Sequence, residues 1–315
     1  MDVMGNNSVI VYTPATTANL GPGFDCLGLA LDLWNKAVFT LEGQGIRVKI
    51  HGEGSGLMAT DERNLVARAA LRLYQSMGVP LPTGLNICCE NHIPISSGLG
   101  SSAAGVLTGL MGANALLGKP ASTDDLLRIA TAMEGHPDNV AAALLGGLTL
   151  AITTNEGTLA SRLPVAPLKV AIAVPAIHLP TQAARAALPR EVPLSDAVFN
   201  IGRTAFVIEA LRSGDLSLLG KAMDDRLHQP YRLKMIPGGE DVFNAARQAG
   251  ASAVALSGAG PSIIAYIALE NDAEVVAAAM VGAFARANIQ ARGLALQLSE
   301  RGCHTETHQA ACRTT

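Results

Sequence analysis

An α+β protein of two domains is the fold class that the sequence predicts, and three observations carry it. The chain has 315 residues, 49% apolar and only 16% charged, so it can bury more than one core. Strand-like and helix-like runs are mixed along its length, and the second half orders them β-α-α-β-β-α-β. Between the halves lies the turn-rich stretch 154–167. The expected division is therefore residues 1–160, residues 161–300 and a disordered tail at 301–315.

Composition excludes several classes. Aromatics are 3% of the chain, with Trp34 the single tryptophan, which argues against stacking on nucleic-acid bases. The net charge is −3 without a basic tract, so neither a nucleic acid nor an anionic membrane surface is indicated as a partner. No apolar run approaches the ~18 residues of a membrane span. The polar opening Met1–Ser8 lacks the pattern of a signal peptide, and a cytoplasmic protein is expected. Five cysteines, Cys88 and Cys89 adjacent, show no framework spacing and read as reduced thiols. Cys303, His304, His308 and Cys312 could be imagined as metal ligands, but their flanks have no apolar periodicity, and a frayed terminus is expected.

Val9–Tyr12 reads as a strand running into P-A-T-T-A-N-L-G-P-G-F-D-C-L-G-L-A-L-D. Three glycines and two prolines within Pro14–Gly28 make a shaped loop. Its polar Asn19 and Asp25 sit among apolar neighbours, suited either to capping turns or to touching a ligand. Lys36–Leu41 and Ile46–His51 alternate and are expected to form a hairpin through Gly43 and Gly45. Asp61 is the expected cap of a helix over Val66–Met77, with Asn64 in its first turn. Leu85–Glu90 is the next strand.

Ile93–Ala104, I-P-I-S-S-G-L-G-S-S-A-A, follows and organises the rest. Gly98 and Gly100 permit backbone angles closed to other residues. Ser101 or Ser102 is the expected cap of a helix running to Leu117, with Val106, Leu107, Leu110, Met111 and Leu117 on one face and Gly118 and Pro120 as its stop. A glycine turn ending at a helix N-terminus suits an anion such as phosphate. It is not a Walker loop, because no Lys-Ser/Thr follows the glycines.

Ser122–Asp125 has a capping-box shape ahead of Leu126–Met133. In M-E-G-H-P-D-N-V-A, Glu134 closes one helix, Gly135 and Pro137 turn the chain and Asp138 opens the next. The polar side chains crowded there need partners. Gly146–Thr153 and Lys169–Pro175 read as strands. L-P-T-Q-A-A-R-A-A-L-P carries Thr181 and Arg185, helices Asp196–Arg212 and Leu216–Asp225 follow, and H-Q-P-Y-R-L-K-M-I-P-G carries Arg232. An Arg fork matches a carboxylate. Strands Gly250–Leu256 and Ile263–Ala268 flank L-S-G-A-G-P-S, and a helix (Ala273–Ala287) and a strand (Ala291–Leu298) follow. That order is close to a ferredoxin-like module with inserted helices. No internal repeat is found.

The string P-x-x-x-G-L-G-S-S-A resembles the phosphate loop of the GHMP kinases, and L-S-G-A-G-P-S is similar to their third motif, a glycine loop that packs against the first. N-L-G-P-G-F-D-x-L-G-x-A-L and E-G-x-x-D-N-V-A are similar to segments of the homoserine kinases within that superfamily. The likeness runs from Val9 to about Leu298. It implies a GHMP kinase fold: an N-terminal domain like ribosomal protein S5 domain 2 and a ferredoxin-like C-terminal domain, with the site between them. It implies transfer of phosphate from ATP to L-homoserine, giving O-phospho-L-homoserine on the path to threonine, and a homodimer.

Carried over residue by residue, the resemblance puts ATP on Asn64 and on Pro94, Ile95, Ser96, Ser97, Gly98, Leu99, Gly100, Ser101, Ser102, Ala103 and Ala104. It puts Mg2+ on Ser102 and Glu134. L-Homoserine falls to Asn19, Asp25, His136, Asn139, Thr181, Arg185 and Arg232. For Asn64, first-turn surface is the other reading. Mevalonate kinases are usually read as using an aspartate base and homoserine kinases as doing without one; Asp138 is the nearest carboxylate to Glu134 in sequence, and an orienting role is expected of it.

Overall fold

A computed structural model describes residues 8–307. Strand β1 (Ser8–Ala18) pairs antiparallel with β2 (Leu27–Thr40), and the expected shaped loop joins them. β3 (Gly45–Gly52) comes next in the chain but does not pair with β2. Helix α1 (Leu65–Ser76) crosses over, and β4 (Gly84–Asn91) enters between the two, antiparallel to β2 and parallel to β3. The expected hairpin is thus wrong. The reason is burial: β4 buries Leu85, Ile87 and Cys89 and takes an interior place, whereas β3 buries Val48 alone among its side chains and takes the edge, its Arg47, Lys49 and His51 not buried.

The cap of α1 is Asn64 rather than Asp61. The Asn64 Oδ1 accepts from the Val66 amide at 2.9 Å, while Asp61 holds Arg63 at 2.7 Å. Helix α2 (Ser101–Leu116) lies against α1 and β1 and is buried on nearly every side, including Val106, Leu107, Leu110 and Ala113. It has an apolar circumference rather than the single apolar face expected. Helix α3 (Thr123–Glu134) starts with the expected Ser122/Asp125 capping box, and α4 (Asp138–Leu145) follows two residues after Gly135 ends it in the left-handed conformation.

β5 (Leu148–Thr154) and β6 (Gly157–Leu163) form a hairpin on the end of β2, completing a sheet of order β11-β1-β2-β4-β3 with that branch. β6 falls in the stretch read as turns, because it has no clear apolar alternation and none of its residues is buried. A cut at residue 160 would pass through it.

The second sheet begins at β7 (Lys169–Pro175). Helices α5 (Thr181–Ala186), α6 (Leu194–Ser213), α7 (Leu216–Ala222), α8 (Gln229–Leu233) and α9 (Gly239–Gln248) follow, of which α8 and α9 were not anticipated. β8 (Ala253–Leu256), β9 (Ile263–Ile267), α10 (Ala273–Arg286) and β10 (Ala291–Gln297) complete an antiparallel sheet of order β10-β7-β9-β8, the ferredoxin-like arrangement.

β11 (His304–Thr307) then returns to pair antiparallel with β1. Cys303 is buried and the His304 ring stacks on Tyr12 at 5.2 Å, so residues 301–307 are not the disordered tail expected of them. His308 and Cys312 lie outside the described residues. Between the two sheets one apolar cluster joins Leu20, Leu27, Leu29 and Leu99 to Val170, Ile172, Leu219 and Tyr266. Burying each such leucine contributes about 1.5–3 kcal/mol, so the two halves are held as walls of one cleft.

Candidate active site

The phosphate-loop string bends sharply because three of its residues are left-handed: Ser96 (φ 52°), Gly98 (φ 83°) and Gly100 (φ 69°). A Cβ on Gly98 would run into the Ser257 carbonyl, and one on Gly100 into the Thr16 hydroxyl, so both positions need glycine for space as well as for φ. Gly100, not a serine, is the cap of α2, and no side chain caps it. Ser101 and Ser102 instead stand in the first turn, and its amides lack the partner that a capping serine would give them. The expected serine cap is thus wrong, and a helix N-terminus that no side chain caps leaves its amides open to an anion.

The L-S-G-A-G-P-S loop braces this turn from the other sheet. Ser257 Oγ donates to the Gly98 carbonyl at 2.7 Å, and the Ser262 amide donates to the Ser97 carbonyl at 3.1 Å. Asn19 reaches the same loop, its Nδ2 donating to the Gly258 carbonyl at 2.7 Å while its Oδ1 accepts from the Asp25 amide at 3.0 Å.

Beside α2, Glu134 accepts a hydrogen bond from Ser102 Oγ at 2.6 Å. Burial raises the Glu134 carboxyl above its ordinary range, the Ser102 hydrogen bond opposing it in part. On the next turn His136 Nδ1 lies 2.8 Å from Asp138 Oδ1, and that contact raises the imidazole against the effect of burial. Asp138 Oδ1 also accepts the Asn139 amide at 2.7 Å, and Asn139 Oδ1 accepts the Thr16 hydroxyl at 2.8 Å. The polar crowd read from the sequence is a partnered network inside the cleft.

At the far end stand the two arginines. Arg185 donates through Nη1 and Nη2 to Asp25 Oδ2 and Oδ1 at 2.9 and 2.7 Å, and this pairing raises its guanidinium. Arg232 is 1% exposed; burial first, then Arg185, lowers it to about 10, so it stays charged at neutral pH. Its Nη1 faces His228 Nδ1 at 3.2 Å and the Gly258 carbonyl at 3.3 Å, and Nε faces the Ala184 carbonyl at 3.4 Å. Its Nη2 makes no hydrogen bond among the described residues.

A cavity of ≈ 410 Å³ connects these groups. It is bordered by Asn19, Asp25, Asn64, Ile95–Gly98, Gly100–Ala103, Glu134, His136, Asp138, Asn139, Thr181, Arg185 and Arg232. Pro94, Leu99 and Ala104 are not brought to it: all three are buried behind the loop, Leu99 and Ala104 in the apolar cluster. Asn64 lines it, but both ends of its amide are used, one as the α1 cap and one donating to the Ala59 carbonyl at 2.8 Å. The sequence reading missed the apolar end made by Ile50, Met58, Leu65, Val66 and Cys89, which carry no motif. It also passed over Phe24, whose ring has the guanidinium carbons of Arg232 and Arg185 5.2 and 5.7 Å from its centre, although the quoted strings contain Phe24 and His228. Among the described residues no three His, Cys, Asp or Glu side chains form a metal cluster. Glu134 and Ser102 nonetheless offer two oxygen donors of the kind Mg2+ takes when phosphates supply the rest.

The N-terminal and C-terminal domain models of the GHMP kinases match residues 64–147 and 207–286. A homoserine kinase of Moorella thermoacetica is 45% identical over 89% of this chain and 94% of its own. The chain belongs to the homoserine kinase branch of the GHMP kinases. A second homoserine kinase, from Parasynechococcus marenigrum, is 44% identical over 96% of this chain and 97% of its own. The crystal structure of a Cytophaga hutchinsonii homoserine kinase superposes with a TM-score of 0.86 at 33% identity, covering 97% of this chain and 99% of that one. An L. major mevalonate kinase (TM-score 0.69, 18% identity, 91% and 94% covered) shares the fold.

Proposed function

We propose that the protein transfers the γ-phosphoryl group of ATP to the side-chain hydroxyl of L-homoserine, and that Glu134, Ser102 and the Ser97–Ala103 turn carry the phosphate end of the reaction. The observation that carries this reading is the 2.6 Å contact between Glu134 and Ser102 at an uncapped helix N-terminus. A buried carboxylate raised by burial gains from a cation, and it stands where the phosphates of ATP would meet the amides. The nucleoside fits the apolar end between Ile50, Met58 and Leu65, past Asn64.

Mg2+, when bound to Glu134 and Ser102, would shield phosphate charge. The remaining work is positioning and electrostatics, since phosphoryl transfer proceeds through a loose transition state. Arg232 presents Nη2 to the substrate carboxylate. Asp25 takes the ammonium group, which loosens its hold on Arg185 and turns that guanidinium toward the same carboxylate. Thr181 stands at the start of α5 beside Arg185. Asn139 Nδ2, left with only a 3.5 Å contact to Asp138, and His136 face the hydroxyl. Asp138 orients both, because its Oδ1 is already shared by His136 and the Asn139 amide. On this reading no dedicated base is needed.

A homodimer is part of the same proposal: α6 leaves Leu194, Val198 and Ile201 exposed at spacings that share one helix face. The cytoplasm, where ATP is supplied, is the proposed compartment. ADP release with Mg2+ and a panel of L-homoserine, L-serine, L-threonine and mevalonate tests the function. Homoserine is expected to be turned over fastest; preference for mevalonate overturns the assignment. Light scattering checks the dimer.

A further inference from the structure

His228 is 0% exposed and has no part in the reaction as described. It sits just before α8, where Asp225 gathers the chain: Oδ2 accepts the amides of His228 and Gln229 at 2.9 and 2.6 Å, and Oδ1 accepts the Leu227 amide at 2.8 Å. The imidazole is fixed on three sides. Nε2 lies 2.7 Å from the Gly21 carbonyl, and Asp225 Oδ2 is 3.4 Å from the same nitrogen. Phe24 stacks on the ring at 5.1 Å between centroids and 27° between planes. Nδ1 faces Arg232 Nη1 at 3.2 Å.

These contacts decide the tautomer. A carbonyl and a carboxylate oxygen can only accept, so Nε2 carries the proton. A guanidinium nitrogen can only donate, so Nδ1 must offer its lone pair. Burial works in the same direction by holding the ring neutral. A charged imidazole would set an N–H against the Arg232 N–H inside a dry site.

We propose that His228 is the positioning residue for substrate-carboxylate recognition: held in its Nε2–H form by the Gly21 carbonyl and Asp225 and fixed in plane by Phe24, it accepts Arg232 Nη1 through Nδ1 and thereby aims Nη2 into the cavity. The inference rests on the reading that Arg232 takes the carboxylate of the amino-acid substrate. Arg232 is a flexible side chain carrying its charge into a nearly closed space. The Gly258 and Ala184 carbonyls hold its Nη1 and Nε edges at 3.3 and 3.4 Å, at the long end of hydrogen-bond range. His228 is the one side-chain acceptor that it meets among the described residues. The geometry also gives the F-D of the first loop and the H-Q-P-Y-R string a shared purpose, since Phe24 stacks on the ring that His228 turns toward Arg232.

The test separates the two nitrogens. His228→Gln keeps an N–H able to reach Gly21 but removes the acceptor beside Arg232, whereas His228→Asn places an amide oxygen near the position of Nδ1. With Mg2+-ATP, KM for L-homoserine is expected to rise about tenfold in His228→Gln, the size of one hydrogen bond to a charged group, and to recover most of that loss in His228→Asn. KM for ATP should stay the same in both. L-Homoserine methyl ester, which lacks the charged carboxylate, gives a readout independent of how much variant folds: the ratio of homoserine to ester kcat/KM should fall in His228→Gln alone. Equal losses in the two variants, or an unchanged ratio in His228→Gln, overturn the proposal. Arg232→Ala is run beside them. If it collapses the ratio while His228→Gln does not, His228 is structural only. If Arg232→Ala leaves the ratio intact, the carboxylate reading falls and this inference falls with it.

Discussion

The two ends of the cleft are made of different materials. At the proposed phosphate end lie main-chain amides, held by glycines in left-handed turns and braced by the hydroxyl of Ser257. At the proposed amino-acid end stand charged side chains from distant segments: Asp25 from the first loop, Arg185 from α5 and Arg232 from α8, arranged around the Phe24 ring. A phosphate is spherical and multiply charged, so a cup of amides and one carboxylate-held ion suit it. A small zwitterion needs point contacts of both signs at fixed separation, which backbone alone does not supply.

The contrast can be broken at either end. Glu134→Gln keeps an oxygen for Ser102 but removes the charge, and kcat is expected to fall on the order of 10³-fold with KM for homoserine held, measured by coupled ADP release. Gly98→Ala forces a Cβ against the Ser257 carbonyl in a left-handed turn, and should lower kcat/KM for ATP about 10²-fold, because a small displacement moves several amides together. At the other end Arg232→Lys retains the charge but loses the fork. An increase of about 10-fold in KM for homoserine, with KM for ATP unmoved, is expected from steady-state kinetics. Phe24→Leu removes the ring face beside both guanidinium groups and should raise the same KM about three- to fivefold.

The pH dependence sharpens the comparison further. Since burial raises Glu134 and only its ionised form can hold a cation, kcat/KM should fall with decreasing pH earlier than an ordinary glutamate would dictate. For stability the sign reverses. A carboxyl whose folded value is raised contributes stability below its unfolded value, and that contribution is lost as pH rises through the folded one. Ionised Glu134 is therefore a burden on the empty protein at neutral pH. Glu134→Gln should raise Tm by calorimetry at pH 7 without nucleotide and leave Tm unchanged at pH 4, the smallest effect of the set.

The same contrast explains what could be read from the chain. Left-handed turns require particular residues, so G-L-G-S-S announces itself, and Ser122 with Asp125 does likewise through the capping box. Side-chain assemblies do not announce themselves: nothing in Asp25, Arg185 or Arg232 alone says that they meet, and only the resemblance of their surrounding strings placed them in one site. The apolar end around Ile50 and Met58 left no trace because its residues are ordinary core residues locally. Strand pairing was not legible even between neighbours in sequence: the expected β2–β3 hairpin does not form, and the β5–β6 hairpin lies partly in the stretch read as turns. β3 lost its expected neighbour to a strand arriving after α1, and β11 has only four residues and pairs with the opposite terminus of the described chain.

That last pairing bears on how the protein is made. β1 is synthesised long before His304–Thr307, the residues that cover its outer edge. The opening sheet must wait with an open flank while more than a hundred intervening residues build the other sheet. A nascent chain stalled before residue 304 would therefore expose hydrogen-bonding groups on β1 to any passing extended peptide, making the interval between the synthesis of these two strands the one in which chaperone occupancy matters most.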